Sequence, residues 1–298
     1  MALVTIVIRT LNEATHLGAL LKGIAEQDIS PDLTCEVVLV DSGSTDGTLE
    51  IAEQFGCNIL HISREEFSFG RSLNLGCAAA KGEVLVIISG HCVPTNGNWL
   101  RALCAPILEG KVQYSYGRQI GGPESYYSEC RIFAKYFGSA SKIPQQGYYC
   151  NNANSAVLKS SWERYGFNEE LTGLEDMALA KQMVADGASV AYVAEACVYH
   201  YHNETWRSVE RRFSREAIAL QYIMPQIHIR KRDLFRYIAS SIWLDWRSAA
   251  SQGVFLKRAN EIVQYRVRQY WGSYKGNHDH RTLSHTEKEV YFYPDQTL

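Results

Sequence analysis

Carboxylates, histidines and small hydroxyl residues recur in this chain where a buried-looking apolar run gives way to polar sequence. In Val37-Val38-Leu39-Val40-Asp41-Ser42-Gly43-Ser44-Thr45-Asp46-Gly47-Thr48, a β-branched run ends in Asp41 and enters a small polar turn. A carboxylate at such a strand end can accept hydrogen bonds from a ribose or a nucleobase imide. Small residues after it, Ser42 first, let a ligand approach the backbone. Asp, Ser, Thr and Gly also serve any βα turn as cap and turn residues, so the segment alone reads either way. Thr10, Asn12 and Glu13 follow a second apolar run, Val4 to Ile8, and Ser89-Gly90-His91 follow a third, Val84 to Ile88. Arg71 lies at the start of a helical pattern, where a cation and free backbone N–H groups make an anion site. A solvent-facing Arg71 is the plainer alternative, and Glu13 can simply cap its own helix.

Those residues need strands to carry them and helices to cover the strands. Leu17, Leu20, Leu21 and Ile24 recur at helical spacing after the first run. Leu49 to Phe55, closed by Gly56, gives a second helix, and the segment from Phe69 to about Ala80 a third, ended by Gly82. The alternation predicts a parallel sheet whose carboxyl edge collects Thr10, Asn12, Glu13, Asp41 and His91. From Trp99 the pattern loosens into a helix to Leu108, a strand near Gln113 to Arg118 and a Tyr-rich helix near Ser125 to Phe137. A polar loop, Pro144 to Asn154, enters a short strand, Ser155 to Leu158, and is expected to line the acceptor side. A helix over Asp176 to Ala185 and a last strand over Ser189 to Val193 follow. After His202 the chain reads as helical and basic to about residue 274, with a polar tail.

As an ordered set, Arg9-Thr10-Leu11-Asn12-Glu13, Val40-Asp41-Ser42-Gly43-Ser44-Thr45-Asp46-Gly47-Thr48, Gly70-Arg71-Ser72-Leu73-Asn74-Leu75-Gly76 and Ala80-Lys81-Gly82-Glu83 resemble the family 2 glycosyltransferases of GT-A fold. Gly173-Leu174-Glu175-Asp176 resembles that family's acceptor-side acidic motif. Val198-Tyr199-His200-Tyr201-His202, with Arg211-Arg212-Phe213, is similar to a bacterial rhamnosyltransferase-like subgroup. The resemblance spans roughly residues 3 to 215. It implies an α/β fold, with a GT-A type Rossmann-like sheet and a C-terminal helical extension. The expected division is a catalytic domain over 1–205, with a nucleotide-binding half at 1–95 and an acceptor half at 96–205, then a basic helical extension over 206–298. The implied activity is inverting transfer from a nucleotide-diphosphate sugar donor to a glycan or lipid-linked glycan acceptor of the cell surface, such as O-antigen or capsule.

On that resemblance, Asp176 takes the acceptor hydroxyl's proton as the glycosidic bond forms, and Glu175 orients the acceptor or its loop. Plain capping of the helix N-terminus is the alternative. Thr10, Asn12, Glu13, Asp41, Ser42, Arg71, Ser89 and His91 are the expected donor-side residues. One departure stands out. The family's metal-holding Asp-x-Asp is replaced here by Ser89-Gly90-His91. A divalent metal, Mn or Mg, is therefore an open expectation. His91 can be a ligand, with His200 or His202 supplying a second, although imidazole suits Zn²⁺ or Fe²⁺ better than Mn²⁺. Alternatively no metal is used, and His91 bonds a phosphate or the sugar while Arg71 and later Arg residues neutralise charge. Tyr126, Tyr127, Tyr148, Tyr149 and Trp162 can stack on sugar rings or fill the core.

With 298 residues, 46% hydrophobic and 21% charged, the chain has the composition of a globular protein with one large domain and an accessory part. No membrane-spanning run and no leader peptide are expected. Eight Cys without a Cys-x-x-Cys pair suit a reducing, cytoplasmic compartment. For the same reason the sequon Asn203-Glu204-Thr205 reads as chance. Net charge is −2, yet residues 205–275 hold 14 Lys and Arg against five Asp and Glu. Basic residues interleaved with aromatics, as in Leu234-Phe235-Arg236-Tyr237-Ile238 and Ile242-Trp243-Leu244-Asp245-Trp246-Arg247, suit peripheral contact with the inner face of the plasma membrane. Helix packing or a homo-oligomer contact is the competing reading. Helical spacing puts Arg207, Arg211 and Arg215 on one side and turns Arg212 away. Nucleic acid is not an expected partner. Two other functions stay open: a catalytically inactive GT-A module acting as a scaffold or sugar-binding subunit, and a nucleotidyltransferase. The second would need carboxylates where Ser89-Gly90-His91 stands.

Overall fold

The computed structural model describes residues 2–29, 33–202 and 204–278. The Asn203 sequon position and the polar tail beyond 278 lie outside the described residues. The first part alternates as expected: β1 (Ala2–Thr10), α1 (Ala14–Ala25), β2 (Leu33–Asp41), α2 (Thr48–Gln54), β3 (Asn58–His61), α3 (Phe69–Ala79) and β4 (Val84–Ser89). Then come β5 (Cys92–Pro94), α4 (Trp99–Leu108), β6 (Tyr114–Gly121), α5 (Tyr127–Tyr136), β7 (Asn154–Leu158), α6 (Lys159–Tyr165), α7 (Glu175–Ala185) and β8 (Val190–His200). Three long helices close the described chain: α8 (Trp206–Ile223), α9 (Lys231–Ser251) and α10 (Phe255–Asn277).

The sheet order is β3-β2-β1-β4-β7-β6-β8-β5. Strands β3, β2, β1 and β4 run parallel, and Val4 to Ile8 and Val84 to Ile88 are buried on both faces, as near-continuous apolar runs should be. Beyond β4 the sheet is mixed: β7 runs antiparallel to β4 and β6, while β6 and β8 pair in parallel. The expected parallel sheet therefore describes one half only. Strand β8 also continues past Val193 to His200, and a register shift in β6 between Gly117 and Gln119 accommodates it. Three-residue β5 and four-residue β3 are too short to show an alternation in sequence.

The chain divides into two compact units. The first holds 1–122, 136–170 and 175–201, and the second 123–135, 171–174 and His202 onward. Segments 123–135 and 171–174, which the sequence reading groups with the catalytic half, thus belong with the C-terminal helices. The first unit buries Ile6, Ile8, Leu17, Leu20, Leu39, Val86, Trp99, Leu103 and Val198 in one core. A buried polar pin crosses it. Trp99 Nε1 donates to Asn154 Oδ1 at 2.8 Å, and Asn154 Nδ2 donates to the carbonyls of Arg118 and Ala196.

In the second unit, Phe133, Val209, Ile223, Leu234, Ala249, Ile262 and Tyr265 are buried. Helices α8 and α10 touch backbone to backbone. A Cβ on Gly272 would lie 2.3 Å from the Glu210 carbonyl oxygen, and one on Gly276 would lie 2.1 Å from that of Ser214. No side chain larger than hydrogen fits at either position. Arg266 Nε meets buried Asp245 at 2.7 Å, and Ser128 Oγ donates to the same carboxylate. No helix among the described residues is long and apolar enough to cross a membrane.

Candidate active site

The loops after β1 and β2 are laced together at the carboxyl edge of the parallel strands. Asp41 is 1% exposed, and its carboxylate accepts from Thr10 Oγ1 at 3.1 Å, from the N–H groups of Gly43 and Ser44 at 2.8 and 3.0 Å, and from Ser44 Oγ. Ser42 donates through both its N–H and its Oγ to the Thr10 carbonyl. Asn12, with φ of 57°, donates its N–H to Ser44 Oγ and accepts from the Thr45 N–H through Oδ1. Asp46 links two helix starts: Oδ2 accepts from the Ala14 N–H and Oδ1 from Thr48. These carboxylates and amides therefore build the shape of the loop pair. Asp41 reaches a nucleoside directly only by releasing one of its loop donors. Asp46 was not singled out in sequence, although an Asp two residues before a helical pattern is a capping signal.

At the end of β4 the chain passes Ser89 and Gly90 to His91. His91 Nδ1 is 2.8 Å from Glu13 Oε1, so Glu13 orients this ring and makes no side-chain cap on its own helix. Gly90 permits the approach, since a Cβ there would lie 2.8 Å from Glu13 Cγ. His200, at the end of β8, donates from Nδ1 to Gln119 Oε1 at 2.7 Å. The two imidazoles stack with centroids 5.1 Å apart and an interplanar angle of 23°. In each ring an acceptor faces Nδ1, which turns Nε2 to the opposite side of the ring. Carboxylate and amide partners orient metal-ligating histidines in this way. The pair fits a divalent cation of the kind imidazole prefers, and the donor set lacks the two carboxylates that suit Mg²⁺.

Glu175 and Asp176 open α7 and are 5% and 6% exposed. Leu174 before them has φ of 56°, a left-handed conformation unusual for so large a side chain. Asp176 Oδ2 accepts from the Asn152 N–H at 2.7 Å, and Oδ1 from the Met177 N–H at 2.6 Å. Glu175 Oε1 lies 3.4 Å from Arg9 Nη1, at the end of β1. Burial and the neighbouring Glu175 carboxylate push the Asp176 carboxyl up to about 7, against the pull of its backbone donors and Arg9. A carboxylate that titrates near neutrality can both take up and release a proton at ambient pH. The loop that donates to it is held in turn by side chains. Gln119 Nε2 donates to Asn151 Oδ1 at 3.0 Å, and Asn152 Oδ1 accepts from Tyr114 Oη at 2.6 Å. Arg9 and Gln119 were not singled out in sequence, whereas Asn151 and Asn152 lie in the polar loop expected on the acceptor side.

The remaining candidates each have partners of their own. Arg71 Nε pairs with Glu169 Oε2 at 2.8 Å with half its side chain exposed, and that carboxylate raises the guanidinium's affinity for its proton. Any anion reaching Arg71 competes with Glu169. Tyr149 packs among Tyr116, Tyr136 and Phe137, while Trp162 Nε1 donates to Asn74. In the second unit, Tyr126 stacks on Trp206, and Tyr127 Oη bonds to Ser248. His202 also belongs there. Its Nδ1 is 2.8 Å from Glu129 Oε1, and possible ligand atoms of Glu129, His202 and Glu204 lie within 4.8 Å of one another. Arg212 already supplies a cation to this cluster, 3.0 Å from Glu129 and 2.7 Å from Glu204. Burial raises the Glu129 carboxyl, but His202 and Arg212 outweigh that and hold it below its ordinary range.

Comparison with known proteins bears on this geometry. The family model "Glycosyl transferase family 2" matches residues 5–165. An O-antigen chain rhamnosyltransferase of Salmonella typhimurium is 28% identical over 224 residues, 70% of each chain. A second O-antigen chain rhamnosyltransferase, from Salmonella anatum, is 30% identical over 191 residues, 60% of each chain. Among solved structures, a mannosyltransferase from Pyrobaculum calidifontis in complex with GDP-Man and Mn²⁺ aligns with a TM-score of 0.64. It is 19% identical, and the alignment covers 93% of this chain and 88% of that one, a likeness of fold.

Proposed function

The chain belongs to glycosyl transferase family 2, and on that footing we propose that it moves a sugar, with inversion, from a nucleotide-diphosphate sugar to a growing cell-surface glycan. Relatives described as O-antigen chain rhamnosyltransferases support a deoxyhexose donor and a lipopolysaccharide-type acceptor. The observation that carries the reading is Asp176: a buried carboxyl, held at both oxygens by backbone N–H groups and raised toward neutrality.

Ionised Asp176 accepts the proton of an acceptor hydroxyl as that oxygen bonds to the anomeric carbon. The bond from that carbon to the diphosphate oxygen breaks, and its electron pair leaves with the nucleoside diphosphate. Attack from the face opposite the leaving group inverts the configuration. Arg9 holds Glu175 aside, so that the two adjacent acids face different partners. Thr10, Asn12, Asp41 and Ser42 shape the loop pair that receives the nucleoside, and Glu13 keeps His91 oriented. His91 and His200 would hold a divalent ion, which when bound would neutralise charge on the departing diphosphate.

The test is a panel of nucleotide-diphosphate sugars offered with short glycan acceptors, run with and without chelator, and the anomeric configuration of any product read by NMR. Turnover of one donor with inverted product is expected. No turnover of any donor, or a product of retained configuration, contradicts the proposal.

A further inference from the structure

Helix α9 in the second unit presents a face with no partner among the described residues. Leu234, Asp245 and Ala249 point inward and are 4%, 2% and 0% exposed. Arg232, Phe235, Arg236, Ala239, Trp243 and Arg247 recur at spacings of three and four along the other side, which puts them on one stripe. Phe235 is 70% exposed, Trp243 64% and its neighbour Leu244 57%, while Leu256, just beyond the turn into α10, is 95% exposed. Nine of the fifteen exposed large hydrophobic side chains among the described residues lie between Tyr222 and Trp271. Phe235, Trp243 and Leu244, exposed together on one helix, suit an interaction surface.

Charge identifies the occupant. Several cations of this basic region serve inside it: Arg212 binds Glu129 and Glu204, Arg266 binds Asp245, Arg258 binds Glu261, and Arg268 and Lys275 share Glu210. Exposed Arg232, Arg236 and Arg247 accompany the aromatic stripe. Asp233 is the one acid on this side of α9, and it is engaged by Arg236 and by the backbone at the helix start. A second copy docked through the same face about a two-fold axis would bring Arg232, Arg236 and Arg247 against their own images. An anionic lipid surface has the opposite charge and accepts Phe, Trp and Leu at its headgroup boundary.

We propose that the α9 face, centred on Phe235 and Trp243 and flanked by Arg232, Arg236 and Arg247, is a docking surface for an anionic membrane. The protein lies on the bilayer through this face and does not cross it. Arg207 and Arg211 are not the anchor: with Glu210, Arg268 and Lys275 they line a separate groove between α8 and α10.

The experiment is co-sedimentation of the full chain with vesicles of phosphatidylcholine alone or mixed with phosphatidylglycerol, at low and high salt. Binding is expected only to the mixed vesicles and should be released by salt. Arg232→Ser, Arg236→Ser and Arg247→Ser combined should weaken it by on the order of a hundredfold. Phe235→Ser with Trp243→Ser should weaken it at least tenfold while leaving turnover of a short soluble acceptor intact. Both variants are surface changes, and their melting temperatures should match wild type. A full chain that stays in the supernatant at low salt overturns the proposal. So does binding that neither variant weakens, or a dimer in solution that the Phe235→Ser, Trp243→Ser variant dissolves.

Discussion

Asp176 is the proposed base, and its environment makes a prediction about pH. A base must be ionised to accept a proton, so transfer should rise with pH through about 7 and level off above it. The stability effect has the opposite sense. A carboxyl raised in the folded state holds its proton where the unfolded one has lost it, so its contribution is full below about pH 4 and is lost as pH climbs to about 7. Across that window wild type should lose melting temperature relative to Asp176→Asn. A rate profile flat between pH 5 and 8, with chemistry limiting, would remove Asp176 as the titrating group. Asp41 poses a different question, because its carboxylate supports two backbone N–H groups of its own loop. Leaving such donors without acceptors costs about 1–3 kcal/mol each. Asp41→Ala should therefore lower the melting temperature and weaken nucleotide affinity at least tenfold by calorimetry. A lower melting temperature with unchanged affinity would make Asp41 a loop residue only.

Elements place these groups, and two glycine positions test that placement. Gly90→Ala drives a methyl into Glu13 and should displace the partner of His91. Turnover should drop while melting changes little, and normal turnover would show that the Glu13–His91 contact is dispensable. Gly272→Ala drives a methyl into the Glu210 carbonyl and should force α8 from α10. Overpacking of this kind costs about 1–3 kcal/mol, read by denaturant unfolding. The strand ends were legible in sequence because buried parallel strands leave long apolar runs that stop abruptly at polar residues. The place of Glu175 and Asp176 at a helix start was legible in Gly173-Leu174-Glu175-Asp176. Less legible were the partners that hold these groups: Asn152 on Asp176, Gln119 on His200 and Arg9 on Glu175 are brought together by sheet order, which a linear pattern does not encode. The continuation of β8 to His200 was missed because the register shift in β6 that pairs it has no local signature.

At the scale of the whole molecule, the proposed reaction and the proposed docking surface fall in different units. The first gathers the strand-end groups and Asp176, and the second carries the basic helices and the outward stripe of α9. In sequence, 14 cations against five acids mark residues 205–275 as basic. That count could not say which cations point inward, since Arg212 and Arg266 meet carboxylates distant in sequence. Removing Arg212 while keeping Glu129 and Glu204 buried should cost about 3–5 kcal/mol, so Arg212→Met should unfold at markedly lower denaturant. The central claim is that this chain transfers sugar with Asp176 as base. It is tested most directly by measuring transfer and donor affinity side by side for wild type and Asp176→Asn. The account predicts a loss of roughly 10²–10⁴-fold in turnover with donor affinity close to wild type. Transfer surviving within a few-fold would contradict it.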